Sequence, residues 1–242
     1  MPVSAIKRFY KTAAVAPVDG GFEVRLDNRS LRTPAGRPLT LPTEVLAAAI
    51  AREWADQPEK GEIKPLEMAM MRLAATAIDR VAVQRHKVID DTAKYAGSDL
   101  LCYRADAPTD LVVRQARVWQ PPLDWAAGRY GARLELAAGV QHRPQPATSI
   151  AALTAAIATH SDFGLSALFN LTVAMGSVVL ALAVSERHLA PLAAFEAAEL
   201  DALYEIEKWG EDSEATMRLE RLRRDIDSGA RFLDLLGTAR FL

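Results

Sequence analysis

At 242 residues the chain is long enough to bury a real core, as one large domain or two small ones. Half of its residues are hydrophobic and a quarter charged, as in ordinary soluble globular proteins, and a formal net charge of -2 argues against a nucleic-acid binder. Cys102 is the single cysteine, which excludes an internal disulfide and points to a reducing compartment.

The first eleven residues, MPVSAIKRFYK, carry neither the apolar core of a secretory signal nor the Arg/Ser bias of a transit peptide, so a cytoplasmic location is expected. The first forty residues predict β structure, with strands over 8–15, 22–26 and 38–41. Asp19-Gly20-Gly21, Asp27-Asn28 and Pro34-Ala35-Gly36 supply the turns between them. Leu41-Pro42-Thr43-Glu44 then opens a helix running to about Asp56, with Val45, Leu46, Ala49, Ile50 and Trp54 along one face. The segment 58–65, PEKGEIKP, reads as a linker. The expected architecture is α+β: a small β-rich domain with one helix over 1–62, then a larger, mainly helical domain over 63–242.

Beyond the linker, helices are predicted near 66–83, 84–95, 109–130, 147–160, 163–184, 189–209 and 213–236. Short strands are predicted at 100–104 and 132–136. Residues 163–185 carry no charge over 23 positions, long enough to cross a bilayer. Ser166, Asn170, Thr172 and Ser177 interrupt them, and the flanks lack the lopsided Lys/Arg loops that set orientation. Gly164, Ala167, Ala174, Ser177 and Ala181 form a small-residue strip, and the expectation is a buried central helix rather than a span.

Catalytic signatures are scarce. The phosphate loop with its terminal Lys and Ser/Thr is missing, as is the dinucleotide fingerprint. Ser166 has Gly164 on one side but Leu168 on the other, so the nucleophile-elbow pattern fails. His86, His142, His160 and His188 show no metal-ligand spacing and read as exposed or capping residues. Cys102 reads as a buried apolar residue rather than a nucleophile.

The unusual feature is the stretch YEIEKWGEDSEA at 204–215. From Glu196 to Glu214 the chain carries eight acidic residues against one lysine. Helical spacing places Glu196 and Glu207 on the same face as Ala193, Leu200, Leu203 and Tyr204, where a carboxylate must find a partner or stay near water. Three readings stay open. The acidic helix faces the next one, which carries Arg218, Arg221, Arg223 and Arg224; or it forms a binding surface; or Glu207–Glu214 serve a carboxylate- or metal-dependent hydrolase. Gly210 is expected to end the helix in a left-handed cap, and Asp212 or Ser213 to cap the next one. Trp209 is then either a core plug or an interface anchor.

Five segments in this order resemble a known family: LDNRSLRTPAGRPLTLPTEVLAAAIAREWADQ (26–57), LAATAIDR (73–80), YAGSDLLCYRA (95–105), VWQPPLDWAAGRYG (118–131) and YEIEKWGEDSEA. The chain looks like the assembly chaperones for the alpha subunit of the F-type ATP synthase catalytic sector, over nearly its whole length, and like a bacterial cytoplasmic version of them. The resemblance implies a non-enzymatic protein with no nucleotide, metal or other cofactor and no small-molecule substrate. Its partner would be the free alpha subunit, protected until it assembles with beta. The resemblance also implies a functional acidic position in the tryptophan-glycine segment, so Glu207, Trp209, Glu211, Asp212 and Glu214 are the expected client-binding residues. Trp119 and Trp125 are further anchor candidates, and Asp99 and Arg104 match the family's SDLLCYR segment.

Overall fold

The computed structural model describes residues 7–138 and 143–237; His142 lies outside them. The chain forms two compact units.

The first unit falls within Met1–Arg85, Asp162–Ser166 and Arg231–Leu242. Its antiparallel sheet has the order β1 (Ala13–Val18), β2 (Gly21–Leu26), β3 (Arg29–Ser30). Val18 pairs with Gly21 and Leu26 with Arg29, so Asp19-Gly20 and Asp27-Asn28 are two-residue hairpin loops. Asp27 adopts φ 52 and its carboxylate accepts from the main-chain N–H groups of Lys11 and Thr12. The first strand starts later than predicted because the preceding residues tie to a helix end instead. Arg8 donates to the Gln57 carbonyl at 2.6 Å, and the Tyr10 hydroxyl to the Trp54 carbonyl at 2.7 Å. The predicted strand at 38–41 reduces to isolated bridges, Arg32 with Pro38 and Phe22 with Leu41.

Helix α1 (Glu44–Ala55) starts where the sequence places it, because the Thr43 hydroxyl accepts from Leu46 N at 3.2 Å. Its Leu46 and Ile50 are buried with Val24, Leu26, Leu39 and Leu41; Val45, expected on the buried face, is 56% exposed. The predicted helix at 66–83 is a 3-10 turn (Pro65–Glu67), α2 (Ala69–Thr76) and a π-turn (Ala77–Val81). Helix α2 has no side-chain cap of its own; the Glu53 carboxylate, reaching from α1, accepts from Met70 N and Met71 N at 2.7 and 2.8 Å. Burial pushes the Glu53 carboxyl above its ordinary range despite these bonds.

The second unit, His86–Ser161 and Ala167–Ala230, is helical. It holds α3 (Arg85–Ala93), a 3-10 turn (Lys94–Gly97), α4 (Thr109–Tyr130) and α5 (Ala147–Ala158). A two-residue parallel pairing joins β4 (Tyr103–Arg104) to β5 (Ala137–Ala138), just past the predicted strand at 132–136. The apolar run predicted as one central helix is two: α6 (Asp162–Met175) and α7 (Val178–Ser185), broken at Gly176, φ 63. Every residue of α7 from Val178 to Val184 is buried. Among the described residues no helix is long and apolar enough to cross a membrane. The predicted 189–209 helix also breaks, at Glu199, into α8 (Pro191–Ala198) and α9 (Leu200–Trp209); α10 (Ser213–Leu235) follows.

The start of α7 is organised by Asp99, which is fully buried. Its carboxylate accepts from Val179 N and Leu101 N, each at 3.1 Å, and is bonded by the Ser177 hydroxyl and Val178 N. Burial raises its pKa from 3.8 to about 6 against the pull of these donors.

Helices α6 and α10 meet closely at Gly229, where an added Cβ would stand 2.8 Å from Leu171 Cγ. Gly229→Ala raises helix propensity by about 1 kcal/mol, yet overpacking of this kind costs about 1–3 kcal/mol. The expected net result is a loss of about 1 kcal/mol by urea denaturation; a gain would show that the two helices separate freely.

Candidate functional site

The acidic stretch spans α9, a three-residue turn and the start of α10. On α9, Leu200 and Tyr204 are buried, but Glu196 is exposed on α8, because the break at Glu199 ends the predicted common face. Among the described residues the acidic-faces-basic expectation holds at one point, where Arg218 bonds the Glu199 carboxylate through both terminal nitrogens. Arg223 pairs within α10, with Asp227 at 4.0 Å, and Arg221 and Arg224 bond carbonyls of their own helix.

The partner of α9 is instead α4. Glu207 accepts from Arg114 at 2.8 Å, and Lys208 reaches Asp110 at 2.9 Å. The Tyr204 hydroxyl donates to Asp110 at 2.8 Å, and the Arg114 guanidinium lies 5.4 Å from the Tyr204 ring centre. Arg114 holds the Glu207 carboxyl below its ordinary range, and Lys208 with Tyr204 does the same for Asp110. Gln115, buried on α4, donates to Asp201 at 2.8 Å. These bonds join residues more than eighty positions apart in sequence, which no local periodicity could reveal.

Past Lys208 the character changes. Trp209 is 87% exposed, so it is not a core plug. Gly210 ends α9 at φ 94, ψ 169, an extended mirror-image conformation open essentially to glycine alone and different from the left-handed cap expected. Asp212 is the cap of α10: its Oδ1 accepts from Glu214 N at 3.3 Å, and its carbonyl from Thr216 N at 2.9 Å. Glu205, Glu211 and Glu214 are exposed and make no ion pair among the described residues. Thus Trp209, Glu211, Asp212 and Glu214 share one exposed turn, whereas Glu207 is turned toward α4.

A cleft of about 310 Å³ opens between α9 and α10, lined by Ala202, Glu205, Ile206, Trp209, Ala215 and Leu219, with Gly210, Asp212 and Arg218 beside them. Ala202, Ile206 and Trp209 follow one another at four- and three-residue steps, a signal legible in the sequence but hidden there by the carboxylate count.

The other candidates resolve structurally. Trp119 is 1% exposed and donates to the Ala197 carbonyl at 2.8 Å, so it is core and not an anchor. Trp125 is half-buried and stacks on His188 at 4.8 Å. Arg104 donates to the Leu101 carbonyl at 2.9 Å. His160 sits at the end of α5 against the Ala156 and Ile157 carbonyls and Ser185; His86 is exposed. Cys102 is buried and its thiol is pushed up to about 12 by burial and by Asp99, which leaves it unreactive. Among the described residues no three His, Cys, Asp or Glu side chains converge as metal ligands would.

Comparison with known proteins accounts for this combination. A family model for the ATP12 chaperone protein matches residues 7–127. The crystal structure of Atp12 from Paracoccus denitrificans is 39% identical, with a TM-score of 0.89, over 95% of this chain and 98% of that one. An aspartate-to-lysine mutant of the same Paracoccus protein matches at 38% identity and TM-score 0.89, over 95% and 97%. The mitochondrial atp12 protein of Schizosaccharomyces pombe is 21% identical over 221 residues, 87% of this chain and 76% of that protein. These matches lead to one conclusion: the chain belongs to the ATP12 family, which are ATP synthase assembly chaperones and not enzymes.

Proposed function

We propose that this protein binds the free alpha subunit of the F-type ATP synthase catalytic sector in the cytoplasm, covers the surface that subunit later buries against beta, and hands it on for assembly. The observation that carries the reading is Trp209, 87% exposed in a turn whose carboxylates Glu211 and Glu214 have no cation partner among the described residues. An exposed aromatic beside uncompensated charge is poor surface design for a solitary protein and suits a polar, steered contact. In this reading Trp209, Glu211, Asp212 and Glu214 touch the client, and Glu207 holds α9 in place through Arg114. Co-expression with the alpha subunit of the same organism tests it: the subunit is expected to stay soluble and to co-purify. An alpha subunit that aggregates equally with and without this protein would end the proposal.

A further inference from the structure

We infer that the α9–α10 cleft receives an apolar side chain carried on a positively charged segment of the client; the inference rests on the client-binding reading above and names the chemistry of the contact. Ala202, Ile206, Ala215 and Leu219, with the exposed Trp209, give the cleft an apolar lining, so an apolar side chain is its natural filling. Its rim is acidic. Among the described residues Glu205 makes no ion pair, and the Asp212 carboxylate accepts only from the main-chain N–H of Glu214. Arg218 also lines the cleft, but its guanidinium is taken up by Glu199 and does not neutralise the rim. Glu211 and Glu214 extend the same sign of charge along the adjoining turn. A segment bearing carboxylates would be repelled, and a neutral one would gain nothing from the rim. A lysine- or arginine-bearing segment is drawn in and aligned.

The cleft can be tested without the client. The probes are a synthetic peptide of alternating leucine and lysine and its leucine–glutamate counterpart, titrated against the full chain while tryptophan emission is followed. The leucine–lysine peptide is expected to shift the emission to shorter wavelength and the leucine–glutamate peptide to leave it unchanged. Trp209→Phe should abolish the shift. Ala215→Phe, which grows a ring into the cleft from a half-buried position, should weaken the leucine–lysine peptide about tenfold. Glu205→Lys, at an exposed position without an ion pair, should do the same and guards against a folding defect in Ala215→Phe. Equal binding of the two peptides, or undiminished binding by both cleft variants, overturns the inference. Alpha-subunit capture run in parallel separates the two proposals. Capture that survives in both folded variants removes the cleft and leaves the client reading intact. Failure of capture by the unaltered chain removes the client reading, and the peptide titration then decides the cleft alone.

Discussion

Replacing Glu211, Asp212 and Glu214 together by lysine is expected to reduce alpha-subunit capture about 100-fold, chiefly through slower association. The change inverts the turn beside Trp209 while leaving the Arg114–Glu207 and Lys208–Asp110 pairs intact. Loss of the Asp212 cap costs about 1 kcal/mol, and a lysine for Glu214 in the first turn of α10 costs up to about 1 kcal/mol more. In a chain of this length that lowers Tm by about 5 °C, well short of unfolding. The capture measurement should be made at two salt concentrations. Binding by the unaltered chain should fall steeply as salt rises, since these carboxylates are open to solvent, and the triple variant should lose that dependence. A folded triple variant that pulls down the alpha subunit as well as the parent would sink the reading.

Asp99→Ala is expected to destabilise the helical unit by about 3 kcal/mol. It orphans the donors of Leu101, Ser177, Val178 and Val179 around a fully buried position, at roughly 1–2 kcal/mol each. Part of that loss is offset, because the burial penalty on the ionised acid disappears. That penalty has a definite pH signature. The folded state retains the Asp99 proton up to about pH 6, whereas the unfolded chain releases it near the ordinary value of 3.8. The folded state therefore binds the extra proton between those limits, and the group's contribution is most favourable below 3.8 and is lost as pH rises through 6. Between pH 7 and pH 5 the parent should gain about 1 kcal/mol relative to Asp99→Asn, which does not titrate. Urea denaturation at the two pH values reads this directly, and a parent that loses ground on acidification would refute it.

The parts of the fold legible in the sequence are those set by neighbours in the chain. Asp19-Gly20 and Asp27-Asn28 make the two hairpins, Thr43 starts α1, and α4 occupies the predicted 109–130. The breaks were not legible, because they depend on distant groups. Gly176 inside an apolar run signals only a modest helix penalty, and Ser177 resembled one more small residue in a packing strip. What makes the break there is that Asp99 completes the start of α7. The same limit applied to the site. Trp209 and the acidic turn stood out by composition, but only the fold separates Glu207, held by Arg114, from Glu211 and Glu214, held by nothing charged among the described residues. Ile206 and Leu219 entered the site because α9 and α10 line one cleft.

The Asp99 arrangement also constrains the order in which the polypeptide can mature. The acid and Val179, whose N–H it accepts, are 80 residues apart. At a translation rate of about 5–20 residues per second, Asp99 leaves the ribosome roughly 4–16 s before its helix exists. Through that interval the carboxylate remains hydrated and ionised at neutral pH, and the residues around it have no reason to desolvate. The Asp99-bonded start of α7 can therefore form only after the stretch around residue 180 has been made.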